Sequence, residues 1–254
     1  MIRSGGTLGR ATAALLALGL LLAAVPAAAA PARIILLRHG EKNGPWELCE
    51  VGRERARALV SYYLGKNAQN SLFRPGETPR AILAISLHTL ETISPVAQSW
   101  GMPVIFYSAI PVRRDGKLVL SDATLAQRTR EAARDILEKP EWVGQTLVVN
   151  WEHDHIAKTR YDTPATAEKG GTGARGPEAV TLYDLLGLDR LQEVPRNWPR
   201  NTYDYFWIID FDQTSGKPSR FSMIKEEFGP PFASLPQNDW HKPEGSGVAA
   251  GCTP

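Results

Sequence analysis

Short runs of apolar residues alternate along this chain with stretches whose apolar positions recur every three or four residues. Residues 33–37, Arg-Ile-Ile-Leu-Leu, form a brief continuous apolar run, the pattern of a strand buried on both faces. Ala56, Leu59, Val60, Tyr63 and Leu64 then mark one apolar helical face, with Arg53, Glu54, Arg55 and Arg57 placed mostly on the opposite side. The polar segment 67–80, with Pro75 and Pro79, predicts a loop, and 81–85 a second buried strand. A helix is expected over 90–100, ended by Gly101, and a third strand over 103–106. Leu125, Ala132, Ala133, Ile136 and Leu137 define an amphipathic helix over 123–137, and 146–150 reads as a fourth buried strand. Strands alternating with helices predict an α/β fold, a three-layer α/β/α sandwich around a mainly parallel sheet. Residues 205–211 and 220–224 read as two further strands joined through Gly216 and Pro218, a C-terminal hairpin. The Gly-rich segment 169–176 reads as a flexible loop, and the tail from about 229, rich in Pro, Gly and Ser, as loosely ordered. There is no internal repeat and no domain linker, so residues 30–254 are expected to form one domain.

The first thirty residues stand apart. Arg3 and Arg10 precede an apolar run from Ala11 to Val25, then Pro26 and four alanines, the composition of a secretory signal peptide. The expectation is a leader over 1–29, cleaved after Ala28 or Ala29, and a periplasmic or secreted protein with no membrane attachment afterwards. Such a run is short against the roughly 20 residues of a spanning helix. Losing Arg3 and Arg10 leaves 27 basic against 27 acidic residues. A formally neutral chain has no general positive field, so nucleic acid is not an expected partner. In an oxidising compartment, the two cysteines, Cys49 and Cys252, can pair or stay free.

Two buried strands each lead into a histidine: His39 follows the first, and His153 lies just beyond the fourth. In open α/β sheets ligands bind outside the carboxyl ends of the strands. Arg38 brings a fixed charge with a fork suited to phosphate oxygens, and an oriented, neutral imidazole is a competent nucleophile toward phosphorus.

Arg38-His39-Gly40-Glu41 after an apolar strand resembles the signature of the histidine phosphatase superfamily, the phosphoglycerate mutase-like enzymes. Leu48, Gly52, Ala56 and Leu59 are similar to the segment that follows this signature, Ser86 and Thr92 to the family's Ser and Thr after the second strand, and 148–156 to its second histidine motif. The resemblance covers about 33–160 and implies a phosphomonoesterase working through phosphohistidine on a small phosphorylated substrate, without metal or other cofactor. It implies that His39 attacks phosphorus, that Arg38 holds the phosphoryl oxygens and that His153 stabilises the transition state. The chain departs from that pattern at His88, where the family carries an arginine, and at Glu152-His153-Asp154, where it carries Gly-His-Gly. His88 and Glu152 are therefore candidate substrate-binding residues. Asp154 is preferred as the proton donor over Glu152 and over Asp115, whose Arg113-Arg114-Asp115-Gly116 setting reads as a turn. Cys49 replaces the family's helix-capping Thr or Ser, a loss of about 1 kcal/mol that a disulfide would offset. Trp151, Trp198, Tyr203, Tyr205 and Trp207 are expected to pack the core, and His155 to face either the site or the surface. Competing functions are a non-catalytic phosphate- or ligand-binding protein, a phosphomutase, and a metal-dependent hydrolase using His153, His155, Glu152 and His39.

Overall fold

The computed structural model describes residues 1, 30–159, 180–240 and 251–253. The expected leader and the Gly-rich loop lie outside these residues. Ten strands and five α-helices are present among them. In chain order they are β1 (Arg33–Arg38), β2 (Lys42–Asn43), β3 (Glu47–Leu48), α1 (Glu50–Leu59), β4 (Pro79–Ser86), α2 (Leu87–Trp100), β5 (Val104–Ala109), β6 (Val112–Arg114) and β7 (Lys117–Val119). There follow α3 (Asp122–Glu138), β8 (Thr146–Trp151), α4 (His153–Ile156), α5 (Leu182–Leu185), β9 (Tyr205–Phe211) and β10 (Pro218–Lys225).

Six strands form the central sheet in the order β10-β9-β1-β8-β4-β5. β1, β8, β4 and β5 run parallel, while the β9-β10 hairpin is antiparallel and closes one edge. Successive residues of a strand point to opposite faces, and here the two faces feed two separate cores. Ile34 and Leu36 of β1, Leu83 of β4 and Val149 of β8 pack with Leu125 and Ile136 of α3. Ile35, Leu37, Ile82 and Val148 pack on the other face with Leu59 of α1 and with Ile93 and Val96 of α2. The protein is thus a three-layer α/β/α sandwich with a C-terminal hairpin.

Local chemistry explains where the helices begin. α2 starts at Leu87, three residues before the sequence pattern suggests, because Ser86 and Thr89 form a reciprocal capping box. α1 has no side-chain cap at Cys49; instead Cys49 is disulfide-bonded to Cys252, with the Cα atoms 5.2 Å apart. Thr253 extends the clamp by bonding the β2 strand, donating to Lys42 O and accepting from Gly44 N. Gly52 is required: a Cβ there would lie 2.1 Å from the Glu41 carbonyl oxygen, so only glycine lets α1 approach the loop after β1.

Three expectations are corrected. Arg55, placed on the solvent side of α1, is buried and bonds both oxygens of Glu41, Glu226 and the Pro236 carbonyl. The tail from 229 is packed as far as Trp240, which stacks among Trp198, Tyr205 and Trp207. His155 faces neither site nor surface; it is buried, tying the Val180 carbonyl to Asp122 at the start of α3. No helix among the described residues is long and apolar enough to cross a membrane.

Candidate active site at the strand ends

β8 lies between β1 and β4, with Arg38 in register with Trp151 and Ala84 with Asn150. Residues just beyond these three carboxyl ends therefore converge: His39 after β1, Ser86 and His88 after β4, Glu152 and His153 after β8. The parallel topology assembles the site from segments more than a hundred residues apart.

His39 is fully buried. Its Nδ1–H donates to the Gly40 carbonyl at 2.6 Å, which fixes the tautomer and leaves the Nε2 lone pair facing the pocket. Arg38 Nη2 lies 3.3 Å from that nitrogen. The His39 pKa is pushed down to about 4, chiefly by burial; Glu152 opposes the shift and Arg38 adds to it. His39 is thus a neutral, oriented imidazole at ordinary pH. Gly40 is itself held by Thr92, whose hydroxyl accepts from Gly40 N and donates to the His88 carbonyl.

Arg38 is buried, and its Nη1 donates to the carbonyls of Pro199, Arg200 and Thr202. Its Nε has no partner. The Nε–Nη2 edge, the fork that grips two oxygens of one anion, therefore lies beside His39 with its Nε unused. Tyr203, expected to pack in the core, instead lies under this guanidinium, 4.0 Å from ring centre to Cζ, and against the His39 ring. A cation over a ring face is held in place without using its hydrogen-bond donors.

Glu152 reaches the centre of the site. Ser86 Oγ donates to its Oε1 at 2.5 Å, and its Oε2 lies 3.2 Å from His39 Nε2. Burial pushes this carboxyl up, but the imidazoles of His39 and His88 overcome that and hold it well below the usual carboxylate range. His88 is buried, with Nε2–H donating to the Gly44 carbonyl at 2.8 Å, Nδ1 3.5 Å from Glu152 Oε1, and its ring centroid 5.4 Å from that of His39. His153 opens α4 with its ring 6.3 Å from His39, and burial together with the charge of Arg38 keeps it neutral. Its Nδ1 is buried without a partner.

Asp154 stands further out. It pairs with Lys158 at 2.7 Å and approaches His153 Nε2 at 3.3 Å, with 44% of its side chain exposed. Lys42 is the other cation nearby; it interacts electrostatically with Glu152, Arg38 and Asp154, and burial lowers its pKa. Asp115 lies elsewhere, at positive φ in the β6-β7 turn. Of the six residues singled out in the sequence, five (Arg38, His39, His88, Glu152 and His153) meet in one largely buried cluster, and Asp154 stands beside it. Tyr203 is an addition, since an isolated tyrosine carries no periodic signal, and Ser86, matched in the sequence only to the family's serine after the second strand, reaches the site through Glu152.

His39, Glu152 and His153 each present a ligand atom, all within 4.8 Å of one another. Two imidazoles and a carboxylate are a donor set suited to zinc, so these three residues could hold a divalent ion. No protein-family model matches the chain, and no curated protein matches it.

Proposed function

We propose that this protein is an exported phosphomonoesterase that works through a phosphohistidine formed on His39. The observation carrying the reading is the geometry of His39: buried, neutral, its Nδ1–H tied to Gly40, and its Nε2 beside Arg38, whose Nη2 lies 3.3 Å away and whose Nε has no partner. The resemblance to histidine phosphatases in the same segment supports it. The Cys49–Cys252 disulfide fits export to an oxidising compartment.

In this mechanism Arg38 and His153 hold the non-bridging oxygens and stabilise the charge that develops on them. Nε2 forms a bond to phosphorus as the ester P–O bond breaks, and the leaving oxygen takes a proton from Asp154. Water then attacks the phosphohistidine, Nε2 leaves, and a proton returns to Asp154. Phosphate and an alcohol are the products.

The test is hydrolysis of an aryl phosphate and a panel of alkyl phosphates, with EDTA present, across about pH 4 to 8. Turnover that is lost in His39→Ala, together with an acid-labile phosphoenzyme in the parent, is the expected result. Asp154→Asn is expected to slow alkyl esters by about a hundredfold or more and aryl esters far less, because only a poor leaving group needs the proton. Absence of turnover on the whole panel would sink the proposal. The compact His39, Glu152 and His153 donor set favours one second reading, a metal-dependent hydrolase. Activity that EDTA abolishes and zinc restores would select it.

A further inference from the structure

The Glu152 carboxylate lies beside the position that a phosphoryl oxygen has to take. A phosphorus poised for attack sits roughly 3–3.5 Å from its nucleophile, and Glu152 Oε2 already lies 3.2 Å from His39 Nε2. No phosphoryl group can reach Nε2 without placing an oxygen against this carboxylate. Glu152 is also held in position. Ser86, fixed as the cap of α2, donates to Oε1, and the Glu152 carbonyl receives the first N–H groups of α4 from His155 and Ile156. Around it stand Arg38 and His39 from the end of β1, His88 from α2, His153 and Asp154 from α4, and Lys42 from β2. Arg38 and Lys42 give the pocket its affinity for anions, while Glu152 sets a fixed negative acceptor inside it.

That arrangement discriminates between protonation states. A carboxylate oxygen can only accept a hydrogen bond. A dianionic phosphate ester likewise offers only acceptors, so its oxygen against Oε2 brings two like charges together with no proton between them. A monoanionic phosphate carries one P–OH and can donate it to Oε2. Sulfate matches the dianion in shape but has no proton to give across the same pH range. We propose that Glu152 makes this pocket selective for the protonated, monoanionic form of a phosphate group, and against sulfate and the phosphate dianion. The proposal rests on reading the pocket as a phosphate site and is independent of turnover.

The experiment is calorimetric titration of the whole protein with inorganic phosphate and with sulfate, from about pH 5 to 8. Phosphate is expected to bind at low pH and to weaken about tenfold per pH unit above the second ionisation of inorganic phosphate, which lies higher than the value of about 6 for phosphate esters. Sulfate is expected to bind at least about a hundredfold more weakly than phosphate at the acid end. Any titrating group of the protein acts on both anions, so the ratio of the two affinities isolates the proton carried by the ligand. Glu152→Gln keeps the shape and supplies an N–H donor. Its sulfate affinity should rise to within about tenfold of its phosphate affinity, and the decline with pH should flatten. Equal binding of phosphate and sulfate by the parent protein, or unchanged selectivity in a folded Glu152→Gln, would overturn the proposal and leave the phosphatase reading standing. Selective phosphate binding without hydrolysis of any ester would do the reverse, and failure to bind either anion would overturn both. The comparison in the parent protein decides the matter even if the variant does not fold.

Discussion

Two arginines in this protein are buried to the same degree, each with 2% of its surface exposed, and they meet opposite surroundings. Arg55 is saturated. Its Nε and Nη2 grip Glu41, Nη1 donates to Glu226, and Nη2 also reaches the Pro236 carbonyl. Arg38 is left incomplete: one nitrogen is satisfied by three neutral carbonyls, another points at the His39 lone pair, and Nε has no partner. Burying a charge costs several kcal/mol unless it is paired, so an unfinished buried guanidinium fits the proposal that its partner arrives from outside. Arg55 binds the C-terminal segment to the loop after β1, whereas Arg38 keeps a donor unused, as the proposed phosphate site requires.

The comparison breaks if the two arginines respond alike to substitution. Arg55→Met leaves Glu41 and Glu226 buried without their cation and is expected to destabilise the fold by about 3–5 kcal/mol, read as a shift in urea midpoint. Arg38→Lys keeps a charge on the three carbonyls and loses the fork. It is expected to cost under about 1 kcal/mol of stability while lowering aryl phosphate kcat/KM by about a hundredfold or more. Equal stability losses with equal activity losses would show that both are merely structural.

The disulfide links the two regions. Cys49 directly precedes α1, the helix that carries Arg55, and Thr253 beyond Cys252 pins the β2 strand, whose neighbouring Gly44 carbonyl holds His88. The bond closes a loop spanning 203 residues. Cys252→Ser is expected to lower stability by about 2–4 kcal/mol. Phosphate affinity should also weaken, because the hairpin that orients His88 loses its clamp. Calorimetric melting with and without reductant checks the first effect, and phosphate titration of the variant below its melting point checks the second. A melting temperature unchanged by reductant would refute the clamp.

The same contrast explains what could be read from the sequence. β1, β4 and β8 announce themselves because a strand buried on both faces has to be apolar at every position, and Ile34 to Leu37 and Leu147 to Val149 are. His39 and His153 follow from those strands, since the carboxyl ends of parallel neighbours converge. Arg55 was illegible. Its helix shows an ordinary polar stripe, and its partners lie 14 and 171 residues away. The position of Glu152 was half legible: its place in the motif singles it out, but its reach onto His39 Nε2 depends on Ser86 at the end of another strand. Tyr203 reads as a core aromatic for the same reason, because its partner Arg38 lies far away along the chain.

The two clusters should also pull stability in opposite directions as pH changes. His39 titrates near about 4 in the folded protein against an ordinary 6.5. Between those values the unfolded chain binds the extra proton, so this group makes stability rise with pH at about 1.4 kcal/mol per unit. Glu226 is pushed up to about 8 from an ordinary 4.5, mainly by burial, against the pull of Arg55. Here the folded protein binds the extra proton, so stability falls at about the same rate as pH climbs through that window. The two slopes oppose each other up to about pH 6.5, and only the decline from Glu226 continues to about 8. Urea unfolding of the parent protein should therefore show stability dropping over that last interval. Glu226→Gln, which cannot titrate, should be flat there and should uncover the rise at lower pH. A Glu226→Gln protein that kept the decline would assign it to another group, and the saturated cluster around Arg55 would lose its claim to hold a proton through neutral pH.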